Sequence, residues 1–367
     1  MTVRIDRRAL LAGGAGLAAM AARPVWAADD LKARYRKALV INGNLVPPLD
    51  DEKPLPPEAV ADYRRSGLTA MKVSMGGTGV SKAQMLEELN AYDRAIALNP
   101  DLLTRIRTVA DIDAAKAAGR IGIIYSFESE VMLEGKVENL DAFADRGVRV
   151  MQLSYNLPSP FASGVMSPQP SQGLTPLGRE LVARMNARGV SIDMSHLDEK
   201  STLGVLDATR KPVAITHAGC KAVWDNPRNK SDAVLKALAG QGGVIGVFEL
   251  SYINGGATQP TLDVYMRHMA HALKTCGEDH VGIGSDTLLT AWDTSPESMK
   301  RWDENTQRRK EQGIAAPGEG PPPYVEGLNT PERCEIIAGE LTKMGYGWRA
   351  VEKVLGLNWR RWFAATW

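Results

Sequence analysis

The sequence predicts an α/β fold, specifically a (β/α)8 barrel of the TIM type. Short apolar and β-branched runs alternate with stretches of helical period, which is the pattern of parallel β/α units. The runs are almost continuously apolar, as expected for strands that are buried on both faces. The chain has 367 residues, which is enough for one barrel of about 250 residues with insertions.

Eight of these runs are predicted to be the barrel strands, with helices between and after them. The predicted strands span 38–43, 68–77, 121–129, 148–156, 190–196, 212–219, 242–250 and 280–287. The predicted helices span 59–65, 82–97, 140–146, 176–188, 201–209, 232–239, 262–276, 332–344 and 348–363. Thr175 and Pro176 provide a helix N-cap followed by a proline in the first turn.

The segment 288–330 is predicted to be a long loop over the barrel mouth. It is rich in proline, glycine and charged residues, and it shows no hydrophobic period. The chain has no evident internal repeat. We therefore expect residues 28–367 to form a single barrel domain.

The first 27 residues differ in composition from the rest of the chain. Arg4, Arg7 and Arg8 precede an apolar stretch at 10–22, and 25–27 (VWA) resembles a cleavage site. The alternative is a membrane anchor, but about 13 apolar residues fall short of the roughly 20 that a spanning helix needs. The adjacent arginines favour a twin-arginine signal over general secretion. The mature protein is expected to be exported to the periplasm.

Charge and cysteine content argue against two other classes of protein. The chain carries 44 basic and 43 acidic residues, and no basic run alternates with aromatic residues. A nucleic-acid partner is therefore not expected. Cys220, Cys276 and Cys334 are the only cysteines, so at most one disulfide can form. Disulfides are not expected to hold this fold together.

Three residues at the ends of predicted strands are candidate metal ligands. Functional residues of such barrels lie where the strands run out into the following loops. Glu128, His196 and His217 occupy such places. Two imidazoles and one carboxylate form a zinc ligand set that leaves a position for a water molecule, which the ion activates for hydrolysis. The alternative for either histidine is a hydrogen-bonded structural role.

The other three histidines are predicted to lie outside this site. His268 and His271 are on a predicted helix, and barrel helices face away from the mouth, so we expect both at the surface. His280 opens the last strand at the opposite end of the barrel, where a structural role is expected.

Two charged residues near the mouth are candidates for substrate binding. Asp286 ends the last predicted strand and suits a general base or a carboxylate that binds an amine, with helix capping as the alternative. Arg228 lies on the loop after the sixth strand, where a guanidinium can hold a substrate carboxylate with two hydrogen bonds. The alternative for Arg228 is an ordinary solvated surface residue.

Several ordered blocks of sequence closely resemble the renal (membrane) dipeptidase family. They are GLTPLGRELVARMNARGVSIDMSH from residue 173, PVAITHAGCKAVWDNPRNKSD from residue 212, GVRVMQLSYN at 147–156, VGIGSD at 281–286 and VLGLNWRRW at 354–362. The resemblance implies an amidohydrolase-like metallohydrolase barrel that hydrolyses dipeptides with two zinc ions at its mouth. It further implies that His196 and His217 bind one zinc and that Glu128 bridges both. Arg228 and Asp286 would hold the carboxylate and amino ends of the substrate.

The chain departs from the family pattern at the end of the first strand. Where the family has a segment of the type Asp-Gly-His-Asn-Asp, residues 42–46 read NGNLV, so Asn44 replaces the histidine and Val46 the aspartate. An amide is a poor zinc donor and valine donates nothing, so one zinc ion is expected rather than two. Tyr155 stands where many members have a histidine, and its phenol can still hydrogen-bond an oxyanion. Ser129 replaces a glycine after the glutamate.

These residues favour a one-zinc hydrolase of dipeptides or similar small amides, with Asp286 and Tyr155 as catalytic and substrate-binding groups. One alternative is a periplasmic binding protein that retains the barrel but has lost catalysis. Another is an enzyme with altered chemistry on a peptide-derived small molecule. The expected partners are a dipeptide-like substrate and the export machinery, with a homodimer as a candidate assembly.

Overall fold

The computed structural model describes residues 28–77 and 79–367, and within them nine parallel strands form one sheet. The strands are β1 (Ile41–Leu45), β2 (Ala70–Met75), β3 (Leu103–Ile106), β4 (Ile121–Phe127), β5 (Val150–Gln152), β6 (Ser191–Asp193), β7 (Ala214–Ala218), β8 (Val244–Val247) and β9 (Val281–Ile283). The signal peptide predicted for residues 1–27 lies outside the described residues. Within the described part, no helix is both long and apolar enough to cross a membrane.

Eight of the strands close into the predicted (β/α)8 barrel. Hydrogen-bonded neighbours follow the order β2-β1-β9-β8-β7-β6-β5-β4, and a β2–β4 pairing closes the ring. The extra strand, β3, pairs with the first half of β4, while β5 pairs with its second half. Sequence analysis missed β3 because it has only four residues, and the middle two are not buried.

Helices surround the ring and follow most of its strands. They are α1 (Ala28–Lys37), α2 (Pro57–Arg65), α3 (Lys82–Leu98), α4 (Val109–Ala118), α5 (Leu140–Asp145), α6 (Pro176–Arg188), α7 (Glu199–Ala208), α8 (Asp232–Gly240), α9 (Leu262–Cys276), α10 (Pro296–Glu311), α11 (Arg333–Lys343), α12 (Trp348–Glu352) and α13 (Asn358–Thr366). The predicted start of α6 is confirmed, because the Thr175 hydroxyl accepts a hydrogen bond from the Gly178 N–H.

The prediction that 288–330 is only a loop is wrong, because this segment contains α10. Thr306 is the one buried residue of this helix, so the helix has no apolar stripe that a periodicity search could detect. Local polar contacts stabilise α10 instead. The Ser295 hydroxyl caps its first turn, Arg301 pairs with Glu297 one turn away, and the Trp302 indole donates to the Gly320 carbonyl.

The lower end of the barrel is sealed by the C-terminal helix. Trp359 of α13 is fully buried beneath the strands, and its indole N–H donates to the Ile283 carbonyl oxygen at 3.1 Å. Several of the strand residues next to it are glycines. A Cβ atom on Gly282 would lie 2.5 Å from Trp359 Nε1, and one on Gly43 would lie 2.4 Å from Trp359 Cζ2. These glycines provide the space for the indole.

The expectation that His268 lies at the surface is wrong. His268 is fully buried on the inner side of α9. Its Nδ1 accepts the Cys220 N–H at 2.9 Å, and its Nε2 lies 2.9 Å from the Ile253 carbonyl, to which it donates. The ring thus satisfies two backbone groups of the loops after β7 and β8. His271 is partly buried and pairs with Asp232.

His280 contacts the Gly243 carbonyl at 2.8 Å at the bottom of the barrel, in the structural role that was expected. Cys220, Cys276 and Cys334 are all buried and unbridged. The fold is therefore held by packing and hydrogen bonds.

Replacing Gly282 with alanine is expected to lower the free energy of unfolding by about 1–3 kcal/mol, because the new methyl group meets a rigid indole. Gly240→Ala is the matched control, because a Cβ atom there meets nothing within 4 Å. Urea denaturation of both variants measures the difference. Equal stability of the two variants would contradict this account of the lower seal.

His268 is expected to make the protein less stable in acid. Burial lowers its pKa to about 4, whereas an unfolded histidine titrates near 6.5. The unfolded chain therefore binds the proton first, and stability is lost as the pH falls from about 6.5 towards 4. Between pH 7 and pH 4.5 the loss is about 2 kcal/mol. Urea denaturation of His268→Gln should show a smaller loss than wild type, whereas His271→Gln should retain the wild-type loss.

Candidate metal centre

Three side chains meet at the upper end of the barrel in a group that can hold a metal ion. Glu128 follows β4, His217 lies on β7 and Asp286 follows β9, and one ligand atom from each lies within 4.8 Å of the others. His217 Nε2 is 4.0 Å from Glu128 Oε1 and 3.9 Å from Asp286 Oδ2. The parallel strands thus bring residues distant in sequence to one point.

The hydrogen bonds around His217 direct a lone pair towards the two carboxylates. The Thr216 hydroxyl donates to Asp193 Oδ2 at 2.5 Å, so its oxygen can accept the Nδ1–H of His217 at 3.0 Å. The proton then resides on Nδ1, and Nε2 is free to bind a cation. This Nε2 atom is buried and has no hydrogen-bond partner. A buried nitrogen that faces two carboxylate oxygens fits a zinc ion.

Burial has opposite effects on two residues of the site, because it keeps His217 in the neutral form that binds a metal but favours the protonated form of Asp286. Burial, and then the nearby Arg228 guanidinium, hold the pKa of His217 well below its usual range, so its imidazole is neutral. Burial, and then the Glu128 carboxylate, raise the pKa of Asp286 to about 7. The Glu128 carboxylate destabilises the ionised form of Asp286, and a cation between the two would remove that cost.

His196 does not belong to this group in the structure. Its Nδ1 lies 2.8 Å from the Asn156 amide oxygen, to which it donates, and its Nε2 accepts from Arg228 Nη2 at 3.1 Å. Its ring stacks on Tyr155 and lies 5.1 Å from the His217 ring, centre to centre. A metal ion could reach Nε2 only by displacing the arginine. The assignment of His196 as a ligand stays a prediction.

Arg228 lies beneath the mouth and is buried. One guanidinium nitrogen donates to the Ser195 carbonyl at 2.6 Å, another to His196, and the group lies over the rings of Phe248 and Tyr252. The alternative of a solvated surface residue is therefore wrong. Its assignment as the group that holds a substrate carboxylate stays a prediction, and such binding would exchange the His196 contact for a stronger charged pair.

Tyr155 and Asp286 line a cavity of about 250 Å³ at the mouth. Trp302 and Arg309 of α10 form part of its wall, and sequence analysis missed both because it predicted a loop there. Arg309 is ion-paired with Glu319, which also lines the cavity. Burial, and then the Glu128 carboxylate, raise the pKa of the Tyr155 phenol to about 12, so this residue is a hydrogen-bond donor at neutral pH.

Asn44 of β1 belongs to a hydrogen-bonded polar cluster at the barrel mouth. The Asn44 amide nitrogen donates to Glu128 Oε1 and to Asp286 Oδ1, each at 2.7 Å. The Asn44 amide oxygen accepts from Lys72 Nζ at 2.6 Å and lies 2.9 Å from the Ser74 hydroxyl, which donates its one proton to Glu128 Oε1 at 2.6 Å. Sequence analysis missed Lys72, although a lone charged residue within an apolar strand run marks it.

Backbone hydrogen bonds hold Asp286 and Val46 in place at the strand ends. Asp286 has a φ of +56°, in the left-handed region that is uncommon for a residue with a side chain, and its N–H donates to the Asn44 carbonyl at 2.8 Å. The Val46 N–H donates to the Thr287 carbonyl at 2.9 Å. Val46 therefore supports the strand ends through its backbone, and its side chain offers no metal ligand.

Comparison with known proteins places the chain among metallopeptidase barrels. Residues 69–307 match the family described as membrane dipeptidase, peptidase family M19. An uncharacterised Klebsiella pneumoniae protein encoded in the pqqA 5' region is 30% identical over 209 residues, or 54% of this chain and 77% of that protein. The aligned regions span 50% to 62% of the length of the curated dipeptidases that the chain also matches.

Solved structures with the same fold cover almost the whole chain. An amidohydrolase from Pseudomonas aeruginosa is 28% identical with a TM-score of 0.79, and the alignment covers 92% of this chain and 99% of that one. A Rhodobacter sphaeroides metallopeptidase, solved with a phosphinate mimic of the dipeptide L-Ala-D-Ala, shares the fold with a TM-score of 0.67 at 20% identity, over 90% and 99% of the two chains. With the family match over most of its length, this chain belongs to the membrane dipeptidase family, peptidase family M19.

Proposed function

We propose that this protein is a metal-dependent hydrolase that cleaves dipeptides or similar small amides with one zinc ion at the barrel mouth. The observation that carries the proposal is the buried, unpartnered Nε2 of His217, which faces Glu128 and Asp286. A zinc ion in that position lowers the pKa of a bound water molecule and polarises a carbonyl group. The dipeptide mimic bound to the Rhodobacter relative supports the substrate class.

The residues around the cavity would bind the metal ion, bind the substrate and transfer protons. Glu128 and His217 belong to both the predicted ligand set and the observed cluster, and the third ligand is either His196 or Asp286. A carboxylate at Asp286 suits a substrate amine or a proton in transfer. The Tyr155 phenol can donate to the oxygen on which negative charge develops. Arg228 would hold the substrate carboxylate after leaving His196.

The alternatives of a binding protein and of altered chemistry have less support, because the cluster retains metal-binding capacity and its wall contains a donor and a base. Export to the periplasm remains a proposal that rests on the composition of residues 1–27. The homodimer remains a candidate assembly.

Removing His217 is expected to abolish zinc binding. Purified wild-type protein should contain about one zinc ion per chain, and His217→Ala should lose at least about 100-fold in zinc affinity, more than the loss of an outer-shell partner usually costs. Elemental analysis after dialysis against a weak chelator measures the change, with His271→Ala as a control histidine outside the site. Wild-type protein without bound metal, or unchanged affinity in His217→Ala, would contradict the proposal. The same measurement on His196→Ala and Asp286→Asn identifies the third ligand.

Removing the Tyr155 hydroxyl is expected to reduce catalysis without reducing zinc content. Tyr155→Phe should lower kcat/KM for L-Ala-D-Ala and related dipeptides by roughly 100-fold, because one donor to the developing oxyanion is lost. Steady-state kinetics and metal analysis of the same sample measure both effects. Tyr92→Phe, which removes a hydroxyl from a ring packed on Tyr125, is the control. Equal kcat/KM for Tyr155→Phe and wild type would exclude this role.

A further inference from the structure

Lys72 is a buried cation inside the barrel, next to the metal centre. It lies in the middle of β2, its side chain is fully buried, and its Nζ is 2.6 Å from the Asn44 amide oxygen and 3.7 Å from Asp193 Oδ2. A buried ammonium group is costly unless charged or polar groups compensate it. Here the compensating groups are the Asn44 amide and the Asp193 carboxylate, and the amide also contacts Glu128 and Asp286.

Asn44 connects this cation to the metal centre. Because the Lys72 ammonium can only donate, it determines the orientation of the Asn44 amide, whose nitrogen must face Glu128 and Asp286. The Asn44 NH2 group therefore bridges two carboxylates. Glu128 Oε1 also accepts from Ser74 at 2.6 Å, so this oxygen receives two hydrogen bonds.

The Lys72 ammonium has the same net charge as a zinc ion together with one aspartate ligand. A second zinc ion bound by an aspartate would add two positive charges and one negative charge, or one net positive charge. Asn44 and Val46 are neutral, and the Lys72 ammonium contributes one positive charge. The ammonium thus offsets one negative charge among Glu128, Asp286 and Asp193 without a second ion.

We propose that Lys72 and Asn44 together replace the second metal ion. The ammonium group supplies the positive charge, and the amide it orients supplies the bridge between Glu128 and Asp286. Lys72 is a positioning residue that acts through Asn44, and it excludes a second ion by charge repulsion. The inference rests on the one-zinc function proposed above for the identity of the remaining ion, while the exclusion of a second ion can be tested separately.

Restoring the lost ligands tests this role directly. The double variant Asn44→His/Val46→Asp recreates the family's first-strand ligands, and the triple variant adds Lys72→Met. We expect one zinc ion per chain in wild type, one in the double variant and two in the triple variant, measured by elemental analysis and by calorimetric zinc titration. Lys230→Met in place of Lys72→Met is the matched control. Lys230 is also buried, but its Nζ donates to the Leu197 carbonyl, and this triple variant should remain at one ion.

Two ions in the double variant with Lys72 intact would overturn the inference, and so would one ion in the triple variant that carries Lys72→Met. If that triple variant does not fold, as judged by near-UV circular dichroism, Lys72→Gln replaces Lys72→Met in it. No zinc in wild type but one ion in the triple variant would contradict the proposed function and support the exclusion by Lys72. One ion in wild type and two in the double variant would support the proposed function and contradict the exclusion by Lys72.

Discussion

The parallel pairing of β2 with β4 closes the barrel, and the site depends on this closure. The pairing runs along the whole of β2 and continues to Glu128, whose N–H donates to the Met75 carbonyl. The inward-facing side chains of β2, Lys72 and Ser74, are thereby brought beside the carboxylate that follows β4. Without closure these groups would lie on opposite edges of an open sheet. Backbone hydrogen bonding between β2 and β4 therefore forms the barrel mouth. The same pairing brings together the side chains of the polar cluster inside it.

Electrostatic balance explains how so many polar groups remain buried together. Asp193 accepts hydrogen bonds from Ser195 and Thr216 and lies near the Lys72 ammonium, so its charge is compensated. Burial and the surrounding cations keep both site histidines neutral, which leaves their lone pairs for acceptance or for a metal. The Nε2 atom of His217 has no hydrogen-bond partner, whereas the Nε2 atom of His196 accepts a hydrogen bond from Arg228. The two histidines are similar in sequence context but differ in hydrogen bonding.

The outer wall of the site comes from a segment with little apolar character. Helix α10 places Trp302 and Arg309 at the cavity that Tyr155 and Asp286 line from the barrel side. This wall is held by a helix cap and ion pairs rather than by a hydrophobic face. The rigid strand ends would therefore carry the chemistry, while α10 contributes to the shape of the substrate cavity.

The sequence by itself determined the barrel, its eight closing strands and the family, because apolar runs and ordered motif blocks are local patterns. It also identified Glu128, His217 and Asp286, because polar residues at strand ends must converge in a parallel barrel. Only the tertiary structure decided that His268 is buried, that Arg228 donates a hydrogen bond to His196 Nε2, and that Lys72 donates one to the Asn44 amide oxygen. The physical reason is that hydrogen-bond partners depend on which distant strands and loops become neighbours. The sequence shows which groups can donate or accept a hydrogen bond, whereas the fold determines the partner of each group.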